Sequence, residues 1–175
     1  EWVVGYWATL SIGAAVVGMN AWWTTPEMEY ALNDSAPIVL IADDERLERF
    51  EQIANPPALH ILGVRTDRTL PVGSDRWADV LAMADPGVLP TVDIDTDDDV
   101  TIFYTSGTTG FPKGAQLTHR GSVSNIFNMM SMTMAANSAE AKGIAAGDIP
   151  APTTAPSAFP TTFMAPTPLF HVTAC

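Results

Sequence analysis

The sequence predicts an α/β fold, a parallel β-sheet flanked by helices, and three observations carry that expectation. Short apolar runs alternate with segments of helical periodicity through the first half of the chain, the βαβ rhythm of a sheet with helices on its faces. Residues 37–42 are apolar without interruption, as suits a strand covered on both faces. A Gly-rich loop follows directly on a further apolar strand, residues 100–104, and the ends of such strands are where open α/β sheets place ligands.

Taken in order, residues 4–12 read as a helix and residues 15–19 as a buried strand. Thr24, Thr25, Pro26 and Glu27 form a helix start: a Thr cap, Pro in the first turn and an acid against the positive end of the dipole. That helix is expected to run to about Asn33. After the strand at 37–42, Asp43 and Asp44 open a helix over 45–53, Asn55-Pro56-Pro57 ends it, and 59–64 is the next strand. Residues 74–84 read as a helix with Trp77, Val80 and Leu81 on one face, and Asp85-Pro86-Gly87 as a turn. Beyond the loop, 115–118 is extended and 119–132 helical, with Val123, Phe127 and Met130 at helical spacing. Residues 135–160 are rich in Ala, Pro, Thr, Ser and Gly and poor in large apolar residues, and are expected to be a flexible insertion. The organisation expected is an α/β core over 1–134 with its loop at 104–114, the insertion at 135–160, and a strand with a pocket motif at 161–175.

Hydrophobic residues make up 47% of the 175 and charged residues 16%, against about 25% charged in typical soluble domains. Together with apolar sequence at both ends, this reads as a fragment interior to something larger. A net charge of −12 with only 8 basic residues argues against a nucleic-acid partner, since phosphate neutralisation needs Lys and Arg. One cysteine excludes an internal disulfide framework and points to a reducing, cytoplasmic setting. The three histidines, His60, His119 and His171, are too far apart for a metal-binding spacing. Residues 2–26 carry no charge and have Trp near both ends, so a membrane span has to be weighed. Thr9, Ser11, Asn20, three glycines and the lack of flanking basic residues favour a buried helix followed by a buried strand, and no transmembrane span is expected.

Thr105-Ser106-Gly107-Thr108-Thr109-Gly110-Phe111-Pro112-Lys113-Gly114 concentrates four hydroxyls, three glycines and one lysine in ten residues. Glycines let backbone N–H groups converge on an anion; the hydroxyls can donate to phosphate oxygens or bind a cation, and Lys113 adds a point charge. Composition alone also fits an ordinary Ser/Thr/Gly surface loop. A Walker A loop is excluded, because Pro112 precedes Lys113 and Gly114 follows it where that pattern has Gly-Lys-Ser/Thr. The chain also continues into an extended piece, so a helix dipole gives the cradle little help. The aspartates at 93, 95, 97, 98 and 99 are read as a solvated approach to the loop strand rather than a metal site.

The order Tyr104-Thr-Ser-Gly-Thr-Thr-Gly-Phe-Pro-Lys-Gly114 resembles the phosphate-loop signature of the adenylate-forming superfamily, which includes acyl-CoA synthetases, aryl-CoA ligases, luciferases and peptide-synthetase adenylation domains. Residues 7–20 resemble the family's early helix–strand motif and residues 25–35 the helix after it. Pro168-Leu169-Phe170-His171 is similar to the motif bordering the family's acyl pocket. Thr-Thr-Gly, Pro-Lys-Gly-Ala and Leu117-Thr118-His119 look more like CoA ligases than peptide-synthetase domains, and the Pro-Leu-Phe-His form suits a fatty or medium-chain acid. Two features depart from the pattern: the length of the 135–160 insertion, and Cys175 where some long-chain enzymes carry a gating Trp.

The resemblance implies an incomplete part of the large N-terminal domain of such an enzyme and a reaction in two halves. A carboxylate attacks the α-phosphorus of ATP, giving acyl-AMP and pyrophosphate; the thiol of CoA then displaces AMP. By resemblance, Thr105 contacts Mg²⁺; Lys113 and Thr109 are catalytic; Thr105, Ser106, Gly107, Thr108, Thr109, Gly110 and Lys113 hold phosphate; and His171 and Val172 line the acyl and adenylate site. The partners implied are the carboxylic acid, ATP, CoA and the remainder of the enzyme, without which this chain is expected to be inactive. Alternatives from other classes are a non-catalytic nucleotide- or phosphate-binding module, an adenylation domain passing its acyl group to a carrier protein, and a membrane protein anchored through residues 2–23.

Overall fold

The computed structural model describes residues 1–85, 87–105 and 110–151. In chain order its elements are α1 (Trp2–Ser11), β1 (Val16–Gly18), α2 (Thr25–Ser35), β2 (Val39–Asp43), α3 (Asp44–Glu51), β3 (His60–Val64), β4 (Asp75–Arg76), α4 (Trp77–Met83), β5 (Asp99–Thr105), β6 (Lys113–Thr118) and α5 (His119–Ala146). The uncharged stretch at the start therefore divides into helix and strand. Among the described residues no helix is long and apolar enough to cross a membrane.

The helix starts follow from local chemistry. The Glu27 carboxylate accepts from the Thr24 N–H and hydroxyl, both at 2.8 Å, closing a capping box that satisfies orphan groups of the first turn. These hydrogen bonds, the backbone one foremost, hold the Glu27 carboxyl below its ordinary range. Helix α2 runs two residues past the expected Asn33 and ends at Ala36, whose φ of 43° is left-handed and whose N–H returns to Leu32 O. Asp43 caps α3 by accepting from Arg46 N at 3.2 Å.

The fold is α/β, as the sequence predicts, but among the described residues the strands form two three-stranded sheets rather than one. In one, β2, β3 and β4 are parallel neighbours, with Leu40 opposite Ile61 and Leu62 opposite Asp75. In the other, β1 runs parallel to β5 while β6 is antiparallel to it. The antiparallel pairing follows from a connection too short for a crossover: a parallel return needs a dozen or more residues, and only seven separate Thr105 from Lys113. Asp75 and Arg76, expected at a helix start, instead join β3. The Arg76 guanidinium donates to Thr66 O and Arg68 O, tying that strand to the preceding loop and delaying α4.

Met28 and Leu32 of α2, Leu47 and Phe50 of α3, and Ile53 pack on Leu40, Ala42 and Ile61 to form the core. The uninterrupted apolar run of β2 is fully covered on this face only. On the other, Ile41 stays 40% exposed, although α1 approaches closely enough that a Cβ on Gly5 would lie 3.2 Å from Ile41 and 3.6 Å from Trp77.

Helix α5 corrects the reading of residues 135–160. It extends to Ala146, so 135–146 is regular helix, closed by Gly147 in the left-handed conformation with Asp148 N–H on Gly143 O. Sequence poor in large apolar residues was expected to be irregular, yet Ala, Glu and Lys are strong helix formers. The helix has no buried residue, and Val123, Phe127 and Met130 are about half exposed or more. Residues 152–175 and Pro86 lie outside the described residues.

Candidate active site

Strand β5 brings the chain to the loop, and β6 carries it away. Across the antiparallel pair Thr105 is the register partner of Lys113, and Tyr104 of Gly114. The mouth of the loop is thus fixed by backbone pairing, with a hydroxyl and an ammonium-bearing residue side by side and both residues exposed. The Thr105 hydroxyl lies 3.4 Å from Lys113 O, a long contact that leaves it free to turn toward a ligand. Lys113 forms no ion pair among the described residues.

Two glycines of the motif have different physical reasons. Gly110 has φ of 140°, with nothing among the described residues near a would-be Cβ, so the backbone conformation selects glycine. At Gly114 the reason is space: a Cβ would lie 2.9 Å from Ile102 Cγ2 and 3.4 Å from the Tyr104 ring.

Of the residues singled out from the sequence, the structure pairs Thr105 with Lys113 and describes Gly110 in the segment between them. Ser106, Gly107, Thr108, Thr109, His171 and Val172 lie outside the described residues. The chemistry present fits a polyphosphate: neutral and cationic donors, with no carboxylate paired to them among the described residues. For Mg²⁺ the fit is partial: Thr105 would offer one oxygen, and phosphate and water would have to supply the rest.

Sequence reasoning missed what supports the loop. Helix α2 lies beside it. The Tyr30 ring stacks on Phe111 with centroids 4.5 Å apart and planes 14° from parallel. The Tyr104 hydroxyl donates to Asp34 Oδ2 at 2.6 Å, and Trp23 meets the Tyr104 ring edge-on at 5.4 Å. Burial first, and then the Asp34 carboxylate, push the Tyr104 phenol well above its usual range, keeping it protonated as a donor. The available signal was the spacing of Tyr30 and Asp34, one turn apart and so on one helix face.

The aspartate run at the other end of β5 is a turn network. Asp97 receives Arg120 through two nitrogens at 2.7 and 3.0 Å, Asp99 accepts from Gln116 at 2.7 Å, and Asp98 Oδ2 accepts from Asp95 N at 2.9 Å. A separate concavity lined by Asp44, Arg65, Asp67 and Arg68 shares no residue with the loop. There Arg68 meets Asp44 at 3.0 Å and, outside the lining, Glu51 at 2.9 Å.

The β5–β6 pairing sets Thr105 beside Lys113 at the carboxyl end of a buried strand of an α/β protein, where donors can meet an anion. The particular family follows from comparison with known proteins: the pattern of the AMP-binding enzymes matches residues 1–175, and the chain belongs to that family. It is 29% identical over 136 residues to 4-coumarate–CoA ligase 2 of Oryza sativa subsp. japonica, the match covering 72% of this chain and 24% of the ligase. It is 32% identical over 130 residues to long-chain-fatty-acid–CoA ligase FadD15 of Mycobacterium bovis, covering 72% and 22%. The crystal structure of the anthranilate CoA ligase AuaEII in complex with anthranoyl-AMP superimposes with a TM-score of 0.61 at 34% identity, covering 68% of this chain and 23% of that one. The chain thus spans about a quarter of the length of the relatives it matches, and is an incomplete part of the N-terminal domain of an adenylate-forming enzyme.

Proposed function

We propose that this chain carries the phosphate-binding part of an acid–CoA ligase, which activates a carboxylic acid with ATP and passes the acyl group to CoA. The observation that carries this reading is the loop mouth, where the β5–β6 register places Thr105 beside Lys113 within a chain matched throughout by the AMP-binding family. Lys113 and the hydroxyls of Ser106, Thr108 and Thr109 hold the β- and γ-phosphates and stabilise the charge that builds on departing pyrophosphate, which is catalysis by positioning and preorganised charge. Thr105 is the protein contact to Mg²⁺, and the ion when bound neutralises phosphate charge. His171 and Val172 line the acyl and adenylate site. The reading places the enzyme in the cytoplasm, with the 175-residue chain alone inactive.

The acid is a fatty acid on the form of Pro168-Leu169-Phe170-His171, and FadD15 is named for such a substrate. An aromatic acid is the second reading, because 4-coumarate–CoA ligase 2 and the anthranilate CoA ligase are named for aromatic acids. ATP–pyrophosphate exchange by the complete enzyme, with parallel panels of fatty and aromatic acids, tests both. Exchange with neither panel, or turnover by the 175-residue chain alone, contradicts the proposal.

A further inference from the structure

We infer that Tyr30 and Asp34 of α2 are positioning residues that set the phosphate loop for the adenylation step. The inference rests on the assignment of residues 105–114 to ATP phosphate, and goes beyond it by naming what holds the loop. Tyr30 and Asp34 are four residues apart and therefore project from one face of α2. One meets each arm of the hairpin. Asp34 takes the hydroxyl of Tyr104, on the incoming strand, at 2.6 Å across 70 residues of sequence. Tyr30 stacks on Phe111, on the outgoing side just before Lys113, at 4.5 Å.

The anchoring helix is itself fixed. Met28, Ala31 and Leu32 of α2 are buried at 4% exposure or less, and its start is closed by the capping box. The loop, by contrast, meets α2 through an exposed aromatic stack, Phe111 being 56% exposed. An exposed ring on a catalytic loop gains little from burial. What this stack supplies is geometry: it sets the distance of the residue before Pro112 and Lys113 from a rigid element. Misplacing a catalytic group by about 1 Å can cost about a hundredfold in rate, so a weak contact at this position has kinetic leverage out of proportion to its stabilisation.

The test uses the complete enzyme and measures its two half-reactions separately. Tyr30→Leu, which removes the stack, is expected to lower ATP–pyrophosphate exchange about tenfold, between the strength of one aromatic pair and the full cost of misplacement. Tyr30→Phe keeps the ring and is expected to stay within about twofold of the parent. Tyr104→Phe removes one hydroxyl, leaves the ring on Trp23, and is expected to lower exchange alone. The double variant Tyr30→Leu/Phe111→Leu should be no slower than either single variant, because both remove the same stack. Thioester formation from supplied acyl-AMP should be unchanged throughout. Equal losses in both half-reactions would show α2 to be a general structural support and overturn the inference. So would unchanged exchange in Tyr30→Leu while Lys113→Ala is slowed. Unchanged exchange in Lys113→Ala as well would overturn the phosphate-loop assignment together with the inference.

Discussion

Strand β5 has a polar cluster at each end, and the two clusters are organised in opposite ways. At its start, five aspartates lie between positions 93 and 99, and their turn is knitted together by Arg120, Gln116 and backbone N–H groups. Arg120 lowers the Asp97 carboxyl through its hydrogen bond, and Asp97 in turn raises the Arg120 guanidinium. At the strand's end, Thr105 and Lys113 are aligned by the backbone register, and no ion pair engages Lys113 among the described residues. A charge already matched within the protein has little to offer a ligand. Donors held in place by the backbone and left unmatched can be met by one. The acidic run is the more conspicuous in sequence, yet the proposed chemistry lies at the loop.

The largest effect that sharpens this contrast is expected at the loop. Thr109→Val in the complete enzyme should slow adenylation about a hundredfold, the usual consequence of losing one preorganised donor where charge develops. Pyrophosphate-exchange rates check it. Next comes Gly114→Val. The added Cβ would meet Ile102 at 2.9 Å, and overpacking of this kind costs about 1–3 kcal/mol, read as a lower denaturation midpoint. A smaller effect is expected at Glu27→Gln. The Glu27 carboxyl is held below its ordinary value of 4.5 by Thr24. Its contribution is therefore fully present above that pH and is lost as pH falls through the folded value. The variant should be less stable than the parent by about 0.5 kcal/mol at neutral pH, and the difference should fade in a series of denaturation curves taken at progressively more acid pH. The smallest effect belongs to the aspartate turn: Arg120→Met should leave pyrophosphate exchange unchanged and move the melting temperature little, since an exposed ion pair contributes little. A loss of exchange there would break the contrast between the two strand ends.

Much of the fold was legible because its signals are local. The Thr24 and Asp43 caps, the apolar run of β2 and the strand before the loop each declare themselves within a few residues. The second sheet was not legible. Residues 115–118 read as extended, but nothing local states that they return antiparallel to β5, and β1 finds its partner more than 80 positions away. The extent of α5 was hidden for a different reason. Its Ala-rich second half has helix propensity without an apolar stripe, so periodicity carries no sign of the helix there. In the site, Thr105, Gly110 and Lys113 could be placed from the order of loop residues, whereas the Tyr30–Phe111 and Asp34–Tyr104 contacts join segments at least 70 residues apart and leave only the spacing on α2 as a trace.

The most direct test of the loop's role is Lys113→Ala in the complete enzyme, with both half-reactions measured on the same preparation. If the loop stabilises departing pyrophosphate, ATP–pyrophosphate exchange should fall by about a hundredfold or more, while thioester formation from supplied acyl-AMP, which begins after pyrophosphate has left, stays near the parental rate. Equal losses in the two half-reactions, or unchanged exchange, would contradict the account.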